Sequence, residues 1–543
     1  MKLLSTPSSQ LLRNIAAMII SGALWGISYP PNPFGYFAFI AFVPFLFVIT
    51  HQESYATALR YSYVMLFTVN VITLYWIGGF THGRDTYLMT AGIAVLLAHP
   101  LFYFIPIVAF LFVKNNISKL VAIISFPFLW VAFEYFRAHT DFAFPWMLIG
   151  NTQTYNLSYI QIASFTGVYG ISFLVLCVNV ICVILFQNLL NKRWHFFSTQ
   201  SSICGICILI FFLAPKIIGK IILEEQTISE EKNTVRVAII QPNIDPWEKW
   251  QNTIDYQMNI LYQMSSEAAI FQPDLVVYPE TAIPMYILQP QNELYFASFK
   301  TFIDTMQLNI MTGIPDVEFY EDSSTAPNDT KIFSDSHIRY KIFNSSMLLQ
   351  PNSDNIQKYA KMFLVPFAER VPYAGNLEWL KIFQWDIGIG GWGQGNDSTI
   401  FECIKKDGSR FFYSNMICYE SIFPQLASNF ANSNAEFFTI MTNDSWWGNT
   451  SGAYQHLRFA VFRAIENRRW IVRSANGGIS CFIDPYGKIH QSTEYNSRAI
   501  ISKEISLSHT KTFYAEHADW FALWCVFFST LLISIAVTKQ FFM

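Results

Sequence analysis

The chain has 543 residues, of which 52% are hydrophobic and only 13% are charged. This composition is too apolar for an ordinary soluble protein of this length, so much of the chain must lie in a membrane. The formal net charge of −3 argues against nucleic-acid binding, which needs a basic surface.

Apolar stretches near the length that crosses a bilayer, roughly 20 residues, recur through residues 1–223 and return once at the C-terminal end. They cover 11–28, 35–50, 60–80, 87–113, 118–136, 160–187, 197–214 and 517–538, the second being the shortest. No small-x-small cleavage site closes the first stretch before Tyr29, so we interpret it as a retained span rather than a signal peptide. The pattern predicts a multi-span α-helical membrane domain with about eight transmembrane helices, the last of them in 513–543.

Residues 224–512 lose this pattern and predict a separate soluble domain of about 290 residues, enough to bury its own core. Short β-rich runs bounded by Pro or Gly predict strands at 235–241, 274–278, 310–313, 342–350, 410–418, 437–442, 470–475 and 478–484. Helical patterns fall at 254–270, 294–306, 421–432 and 455–467. The domain is therefore expected to be mixed α/β, with strands packed between helical layers.

The distribution of Lys and Arg among the short loops predicts the orientation of the spans. Alternate loops and both termini carry most of them, namely Lys2, Arg13, Arg60, Lys114, Lys119, Lys192, Arg193 and Lys539. The opposite loops offer Arg84 and Arg137, while Lys216 and Lys220 blur the bias. We expect both termini in the cytoplasm and the soluble domain outside, which in a bacterium with two membranes is the periplasm.

The eight cysteines do not predict a disulfide framework. Five of them, Cys177, Cys182, Cys204, Cys207 and Cys525, fall inside predicted spans, where small thiols pack. The soluble part holds Cys403, Cys418 and Cys481, an odd set that leaves at least one free thiol. Cys481 is expected to be a packing residue.

Three predicted strand ends carry reactive side chains. Glu280 follows the apolar run that ends at Tyr278, Lys361 precedes another apolar segment, and Cys418 ends the run that contains Met416. Taken singly, these residues would be an exposed carboxylate, a solvated ammonium and a buried thiol. Together, a carboxylate, an ammonium and a thiol are the parts of an activated cysteine nucleophile.

These residues resemble the nitrilase superfamily with its Glu-Lys-Cys triad, and within it the membrane-embedded apolipoprotein N-acyltransferases. The matching motifs are Pro145-Trp146, Gly167-Val168-Tyr169-Gly170-Ile171-Ser172-Phe173, Gln241-Pro242-Asn243-Ile244, Tyr278-Pro279-Glu280, Leu364-Val365-Pro366-Phe367, Ile417-Cys418-Tyr419-Glu420 and Thr442-Asn443-Asp444-Ser445-Trp446. Their order and spacing cover almost the whole chain. The chain departs from the family pattern at Ala368, Arg370 and Trp447, where glycine, an aromatic residue and phenylalanine are usual.

The resemblance implies an αββα sandwich and a covalent mechanism. Glu280 is expected to act as general base toward Cys418, and Lys361 to stabilise the thiolate and the oxyanion. Glu369 is expected to support Lys361. By the same resemblance, the residues lining the cleft are Trp250, Tyr419, Glu420, Asn443 and Trp446.

The expected substrates come from the resemblance alone. The donor is a membrane phospholipid that gives its sn-1 acyl chain, and the acceptor is the α-amino group of an S-diacylglyceryl-cysteine apolipoprotein. Such an enzyme is an inner-membrane protein, expected here to act as a monomer without cofactor or metal. His456 is expected to be a satisfied helix residue, since no second histidine or cysteine lies at ligand spacing.

Two alternatives remain at this level. A membrane-bound nitrilase-type amidase would use the same triad and let water resolve the thioester. A transporter or receptor could carry a soluble domain without catalytic activity. The multi-span domain favours acyl transfer over the first alternative, and the intact triad argues against the second.

Overall fold

The computed structural model describes most of the chain. The described residues are 7–81, 85–225, 233–249, 253–321, 326–327, 330–333, 338–373 and 391–542. Trp250, one of the predicted cleft residues, lies outside them.

The first part of the chain is built of α-helices. Together with the C-terminal helix described below, they form what we call the helical domain. Its helices are α1 (Pro7–Ile27), α2 (Ala38–Ile49), α3 (Tyr55–Leu74), α4 (Thr86–Phe102), α5 (Phe104–Asn116), α6 (Lys119–Ala138), α7 (Leu157–Ile160), α8 (Ala163–Leu190) and α9 (Thr199–Glu225). In the described chain, seven helical segments are long and apolar enough to cross a membrane, and the 35–50 stretch forms a shorter apolar helix. The multi-span helical prediction is confirmed.

The apolar stretch 87–113 is two helices rather than one. Helix α4 ends at Phe102 and α5 begins at Phe104, with Tyr103 between them. Pro106 lies in the first turn of α5 and has no N–H to donate to the carbonyl of Phe102, four residues earlier. Proline therefore interrupts the helix, which apolarity alone did not predict.

Within its described residues, the α/β part of the chain holds thirteen strands in two sheets. The strands are β1 (Thr234–Gln241), β2 (Leu275–Val277), β3 (Ile310–Tyr320), β4 (Lys331–Ile332), β5 (Arg339–Leu349), β6 (Gln357–Ala360), β7 (Phe401–Ile404), β8 (Arg410–Ile417), β9 (Phe437–Thr442), β10 (Ile471–Ala475), β11 (Cys481–Ile483), β12 (Ile489–His490) and β13 (Ala499–Ser506). One sheet runs β13-β1-β2-β3-β5-β4 with β6 also on β5, and the other runs β12-β11-β10-β9-β8-β7.

Helices cover both sheets and complete an αββα sandwich. They are α10 (Ile254–Ala268), α11 (Glu293–Met306), α12 (Pro424–Asn432) and α13 (Ser451–Asn467). Two further helices follow the sandwich in the chain, α14 (Phe513–His517) and the C-terminal α15 (Trp520–Phe542). The sequence of strand β2 is apolar throughout because both faces of the strand are covered. Leu275 and Val277 pack into the core between the sheets, while Val276 packs toward α10 and α11. A strand covered on both faces reads as a continuous apolar run.

All eight predicted strands of this part are present, although that predicted at 478–484 covers only Cys481–Ile483. The sequence did not predict β4, β6, β7, β12 and β13. Strand β13 pairs antiparallel with β1 along its full length, yet it contains Ser502, Lys503 and Glu504 on the sheet edge. Edge strands carry charged residues, so apolar content does not reveal them.

The α/β part sits on the helical domain through α13 and α8. Helix α8 is kinked at Gly167, where φ is +66°, and a Cβ there would lie 2.4 Å from the ring of Tyr514. After the kink, the Val168 N–H donates to Glu466 Oε1 at 2.9 Å. Arg463 holds both oxygens of Glu466 at 2.7 and 2.8 Å and donates to the carbonyl of Ile422 at 2.9 Å.

Replacing Glu466 should destabilise the protein strongly. In Glu466→Ala the buried Arg463 guanidinium and the Val168 N–H lose their acceptor, and breaking a buried pair in this way costs about 3–5 kcal/mol. Denaturant unfolding of the detergent-solubilised protein measures the loss. The control is Glu402→Ala, which breaks the exposed pair with Arg410 and should cost less than about 1 kcal/mol. Equal losses of unfolding free energy in the two variants would contradict the role of Glu466 as the buried acceptor that joins α13 to α8.

Candidate active site

The ends of strands β2, β6 and β8 bring Glu280, Lys361 and Cys418 together, and the loop after β6 adds Glu369. Lys361 Nζ lies 2.8 Å from Glu369 Oε1 and 3.5 Å from Glu280 Oε1. Lys361 is fully buried. The charges of Glu280 and Lys361 both influence the Cys418 thiol. Residues that are 138 positions apart in the sequence, Glu280 and Cys418, therefore share one site.

The turn that presents Glu280 depends on a glycine in the neighbouring strand. Thr281, directly after Glu280, has a φ of +44°. Gly313 of β3 packs against this turn, and a Cβ at Gly313 would lie 2.4 Å from the Thr281 nitrogen and 2.8 Å from the Pro279 oxygen. Only glycine allows that approach, so the β3 backbone fixes the position of the carboxylate.

Asn344 is a site residue that sequence reasoning missed. From β5, its Nδ2 donates to Glu280 Oε1 at 2.8 Å and to Glu369 Oε1 at 3.3 Å, and its carbonyl accepts from the Lys361 N–H at 2.9 Å. One side chain therefore joins both carboxylates that face the lysine. The available signal was a group of polar residues, 344–346, inside the otherwise apolar run 342–349.

The two carboxylates keep Lys361 charged. Although burial opposes charge, Glu369 and then Glu280 raise the pKa of the Lys361 ammonium above its ordinary value. Glu369 is itself held by the Val365 N–H, which donates to its other oxygen at 2.8 Å. The site therefore contains a fixed positive charge at neutral pH.

Cys418 occupies a strained turn directly after β8. Its φ is +53°, a left-handed conformation that costs energy for residues other than glycine and that recurs at functional sites. Burial, and then the charge of Glu280, raise the pKa of the thiol, whereas Lys361 opposes that rise. The resting form is a thiol, and a base must remove its proton before it attacks.

Glu420 lies behind the site rather than on a cleft wall. It is fully buried, and its Oε1 accepts from the Tyr359 hydroxyl at 2.6 Å and the Met362 N–H at 2.7 Å. Its Oε2 accepts from the Ile417 N–H at 2.7 Å. Burial raises the pKa of Glu420 to about 7, although these hydrogen bonds oppose the rise. Glu420 ties the lysine-bearing segment to the strand that ends at the thiol.

His456 holds the backbone of Cys418. Its Nε2 lies 3.0 Å from the Cys418 carbonyl, and its Nδ1 lies 2.9 Å from Asp444 Oδ1. Arg473 binds the other oxygen of Asp444 at 2.7 Å. Burial opposes ionisation of Asp444, but Arg473 and His456 hold the pKa of its carboxyl well below the ordinary value. The sequence placed His456 in a helix and missed this contact.

The predicted cleft residues that the structure describes have different partners. The Tyr419 hydroxyl donates to the Ala143 carbonyl in the loop after α6 at 2.7 Å. Trp446 is half-buried and meets Trp247 edge-on, with ring centroids 5.0 Å apart. Asn443 is nearly buried, and its Oδ1 accepts from Asn476 Nδ2 at 3.2 Å. Trp447 packs on Trp76 with centroids 4.5 Å apart.

A buried lysine, Lys249, supports the backbone at Glu280. It donates to the Glu280 carbonyl at 3.1 Å and to the Thr281 hydroxyl at 3.0 Å. Burial lowers the pKa of Lys249 to about 8, against the attraction of Glu280. Sequence reasoning missed it, and the only signal was its place beside Trp250.

The arrangement provides a thiol, a nearby carboxylate and a fixed ammonium. These groups suit nucleophilic attack on a carbonyl, with the ammonium stabilising the negative charge of the tetrahedral intermediate. In the part of the chain that the structure describes, no group of three or more His, Cys, Asp or Glu side chains could hold a metal ion.

Known proteins resemble this chain along most of its length. A family model described as apolipoprotein N-acyltransferase N-terminal domain matches residues 21–181, and one described as carbon-nitrogen hydrolase matches residues 236–514. An apolipoprotein N-acyltransferase of Chlorobaculum tepidum is 32% identical over 531 residues, covering 96% of each chain. One of Geobacter metallireducens is 30% identical over 533 residues, covering 97% of this chain and 96% of the relative. Among solved structures, Saccharomyces cerevisiae Nit3, of the nitrilase superfamily, covers 51% of this chain and 92% of its own at 18% identity, with a TM-score of 0.36.

Removing the charge of Lys361 should make Cys418 less reactive. Lys361→Met takes away the group that opposes the high thiol pKa, and each pKa unit lowers the thiolate fraction about tenfold. We expect iodoacetamide to modify the Cys418 peptide at least about tenfold more slowly at pH 7.5, as measured by mass spectrometry. Lys358→Met, which removes a half-exposed lysine paired with Asp316, is the control and should leave the rate unchanged. An unchanged rate of modification in Lys361→Met would show that the charge of Lys361 does not affect the pKa of the Cys418 thiol.

Lys249 should make stability rise with pH. Its pKa is about 8 in the folded protein against an ordinary 10.5, so between these values the unfolded chain binds more protons and the penalty of burying the charge is relieved. Between pH 7 and 9.5 the wild type should gain about 2 kcal/mol relative to Lys249→Met. Denaturant unfolding of both proteins in detergent at the two pH values measures this difference. Parallel pH dependences would show that Lys249 titrates normally.

Proposed function

We propose the reaction of this chain from the premise that it belongs to the apolipoprotein N-acyltransferases, whose relative from Chlorobaculum tepidum matches it over 96% of its length. It is an acyltransferase and a multi-pass membrane protein. It transfers an acyl chain from the sn-1 position of a membrane phospholipid, through a thioester on Cys418, to the N-terminal amine of an S-diacylglyceryl-cysteine apolipoprotein.

The first half-reaction forms the thioester. Glu280 removes the proton of the Cys418 thiol as the sulfur attacks the ester carbonyl, and a carbon–sulfur bond forms. Lys361 stabilises the oxyanion. When the ester carbon–oxygen bond breaks, the proton passes from Glu280 to the departing oxygen, and a lysophospholipid leaves.

The second half-reaction transfers the chain. The free amine of the diacylglyceryl cysteine attacks the thioester carbonyl, a carbon–nitrogen bond forms, and the carbon–sulfur bond breaks. Glu280 accepts the proton that the nitrogen loses, and the sulfur leaves as a thiolate that Lys361 stabilises. The thiol is restored when it regains that proton.

One observation carries the proposal. A buried ammonium between two carboxylates lies beside the thiol, while Tyr419, the residue after Cys418, bonds to a loop of the helical domain. The site for the covalent acyl intermediate thus contacts the apolar helical domain. Because both substrates are anchored in a bilayer, this contact favours transfer between lipids over the hydrolysis that an amidase performs.

The proposed orientation has both termini in the cytoplasm and the α/β part in the periplasm, at the inner membrane. It is supported by the bias of Lys and Arg among the loops. Tyr419, Asn443 and Trp446, together with Trp250, are proposed to contact the lipid substrates, and Glu420 and Glu369 to hold the triad in place.

Loss of the sulfur should abolish turnover without loss of the fold. Cys418→Ser should form no covalent acyl-enzyme with a labelled phospholipid, and Glu280→Gln and Lys361→Ala should each lower acylation of Cys418 by at least about 10²-fold. Mass analysis of the Cys418 peptide, followed by addition of a diacylglyceryl peptide, measures both half-reactions. Cys481→Ala, which alters a fully buried thiol in β11, is the control and should keep its turnover. Release of free fatty acid without transfer to the peptide would favour the amidase instead.

A further inference from the structure

A cavity of about 290 Å³ lies where the α/β part meets the loop after α6. Helix α6, which has the length and apolarity of a membrane span, ends at Ala138. The lining of the cavity includes His139 and Asp141 of that loop, Met362 next to Lys361, and the side chains of Arg370, Gln394 and Gln425. The cavity therefore begins at Ala138, the last residue of this candidate membrane span.

The cavity shares a chain segment with the catalytic lysine. Met362 follows Lys361 directly, and Arg370 follows Glu369, whose carboxylate holds the lysine at 2.8 Å. Arg370 is therefore adjacent in the chain to Glu369, and Met362 is adjacent to Lys361.

Arg370 is the cation on the cavity wall whose donors remain available. One terminal nitrogen bonds to Asp141 Oδ1 and to Gln394 Oε1, each at 3.1 Å. Within the described residues, its Nε and its second terminal nitrogen donate no hydrogen bond, and 32% of the side chain is exposed. This Nε edge is the one with which arginine binds a phosphate in bidentate fashion. The other basic side chain, His139, is engaged by Gln425 at 2.8 Å and Asp519 at 3.4 Å.

Aromatic side chains lie beside the cavity. Phe142 meets Phe367 and Tyr373, with ring centroids 5.9 and 5.3 Å apart. Phe367 and Tyr373 are both substantially exposed. Of these residues, Tyr373 is of the kind that is enriched in the headgroup layer of a bilayer, where Trp and Tyr are common.

We propose that this cavity binds the headgroup phosphodiester of the phospholipid acyl donor, with the Nε edge of Arg370 donating to its oxygens. This proposal rests on the proposed function, since it names the group that holds the donor while Cys418 attacks. Asp141, already paired with Arg370, keeps the site weak toward a free anion. A lipid anchored in the bilayer reaches the same site at a high effective concentration.

The test compares donors that carry a phosphate with one that does not. In full-length protein in detergent micelles, Arg370→Gln should raise the KM for thioester formation roughly tenfold with phosphatidylethanolamine and with phosphatidylglycerol, because a charge-assisted bond is lost. The kcat should change less than about twofold. With p-nitrophenyl palmitate, which has no phosphate, both constants should stay at the wild-type value. Arg370→Lys should recover part of the loss, since it keeps the charge but not the fork.

Two controls separate the proposal from simpler effects. Arg410→Gln alters an exposed arginine that pairs with Glu402 and should leave all donors unaffected. Transfer from enzyme already acylated by p-nitrophenyl palmitate to a diacylglyceryl peptide should be equal in Arg370→Gln and wild type. Equal losses with all three donors, a loss confined to the peptide step, or an unchanged KM would each overturn the headgroup assignment. Inhibition by millimolar inorganic phosphate that disappears in Arg370→Gln would assign the cavity to a free anion instead.

A binding measurement makes the result independent of turnover. A diether phosphatidylglycerol has no ester to cleave, and its affinity for Cys418→Ser should fall roughly tenfold when Arg370→Gln is added. If the wild type formed no thioester from any lipid, the proposed function would fail while this loss of affinity could still support the binding site. Equal affinities in the two proteins would overturn the site even if acyl transfer were observed.

Discussion

The site depends on burying the ammonium of Lys361 beside two carboxylates. A charged amine cannot remain ionised in the interior without partners, and Glu369 and Glu280 supply them at 2.8 and 3.5 Å. These two contacts constrain the ends of β2 and β6 and the loop that carries Glu369. Asn344 in β5 then joins the two carboxylates. The buried charge of Lys361 and the geometry of the first sheet therefore depend on the same contacts.

The second sheet positions the thiol through its backbone. His456, from α13, contacts the Cys418 carbonyl, and Arg463 of the same helix contacts the Ile422 carbonyl in the turn that follows. That helix also accepts the N–H of Val168 from the kinked span α8. The position of the nucleophile is therefore coupled to the helical domain. This coupling fixes the position of the thiol relative to the membrane-spanning helices.

The structure brings together the three residues that the sequence singled out, Glu280, Lys361 and Cys418. Glu280 and Cys418 were proposed because each follows an apolar strand, where loops place polar side chains, and Lys361 because it precedes an apolar segment. Asn344 and Lys249 were missed because a polar side chain inside a strand or loop carries no mark of its partner. Strand β13 was missed because its pairing with β1 is fixed by register and not by apolar content. Glu420 was expected both to support the triad and to line the cleft, and its hydrogen bonds hold it in the interior.

By itself, the sequence determined the division into membrane spans and an α/β domain, because apolar length and periodicity depend on neighbouring residues alone. It also determined which thiol, carboxylate and ammonium were available. Only the tertiary structure decided that Glu369 lies closer to Lys361 than Glu280 does, and that Arg370 faces a cavity beside the loop after α6. Distances between residues far apart in the chain result from packing of whole elements, which no local pattern records.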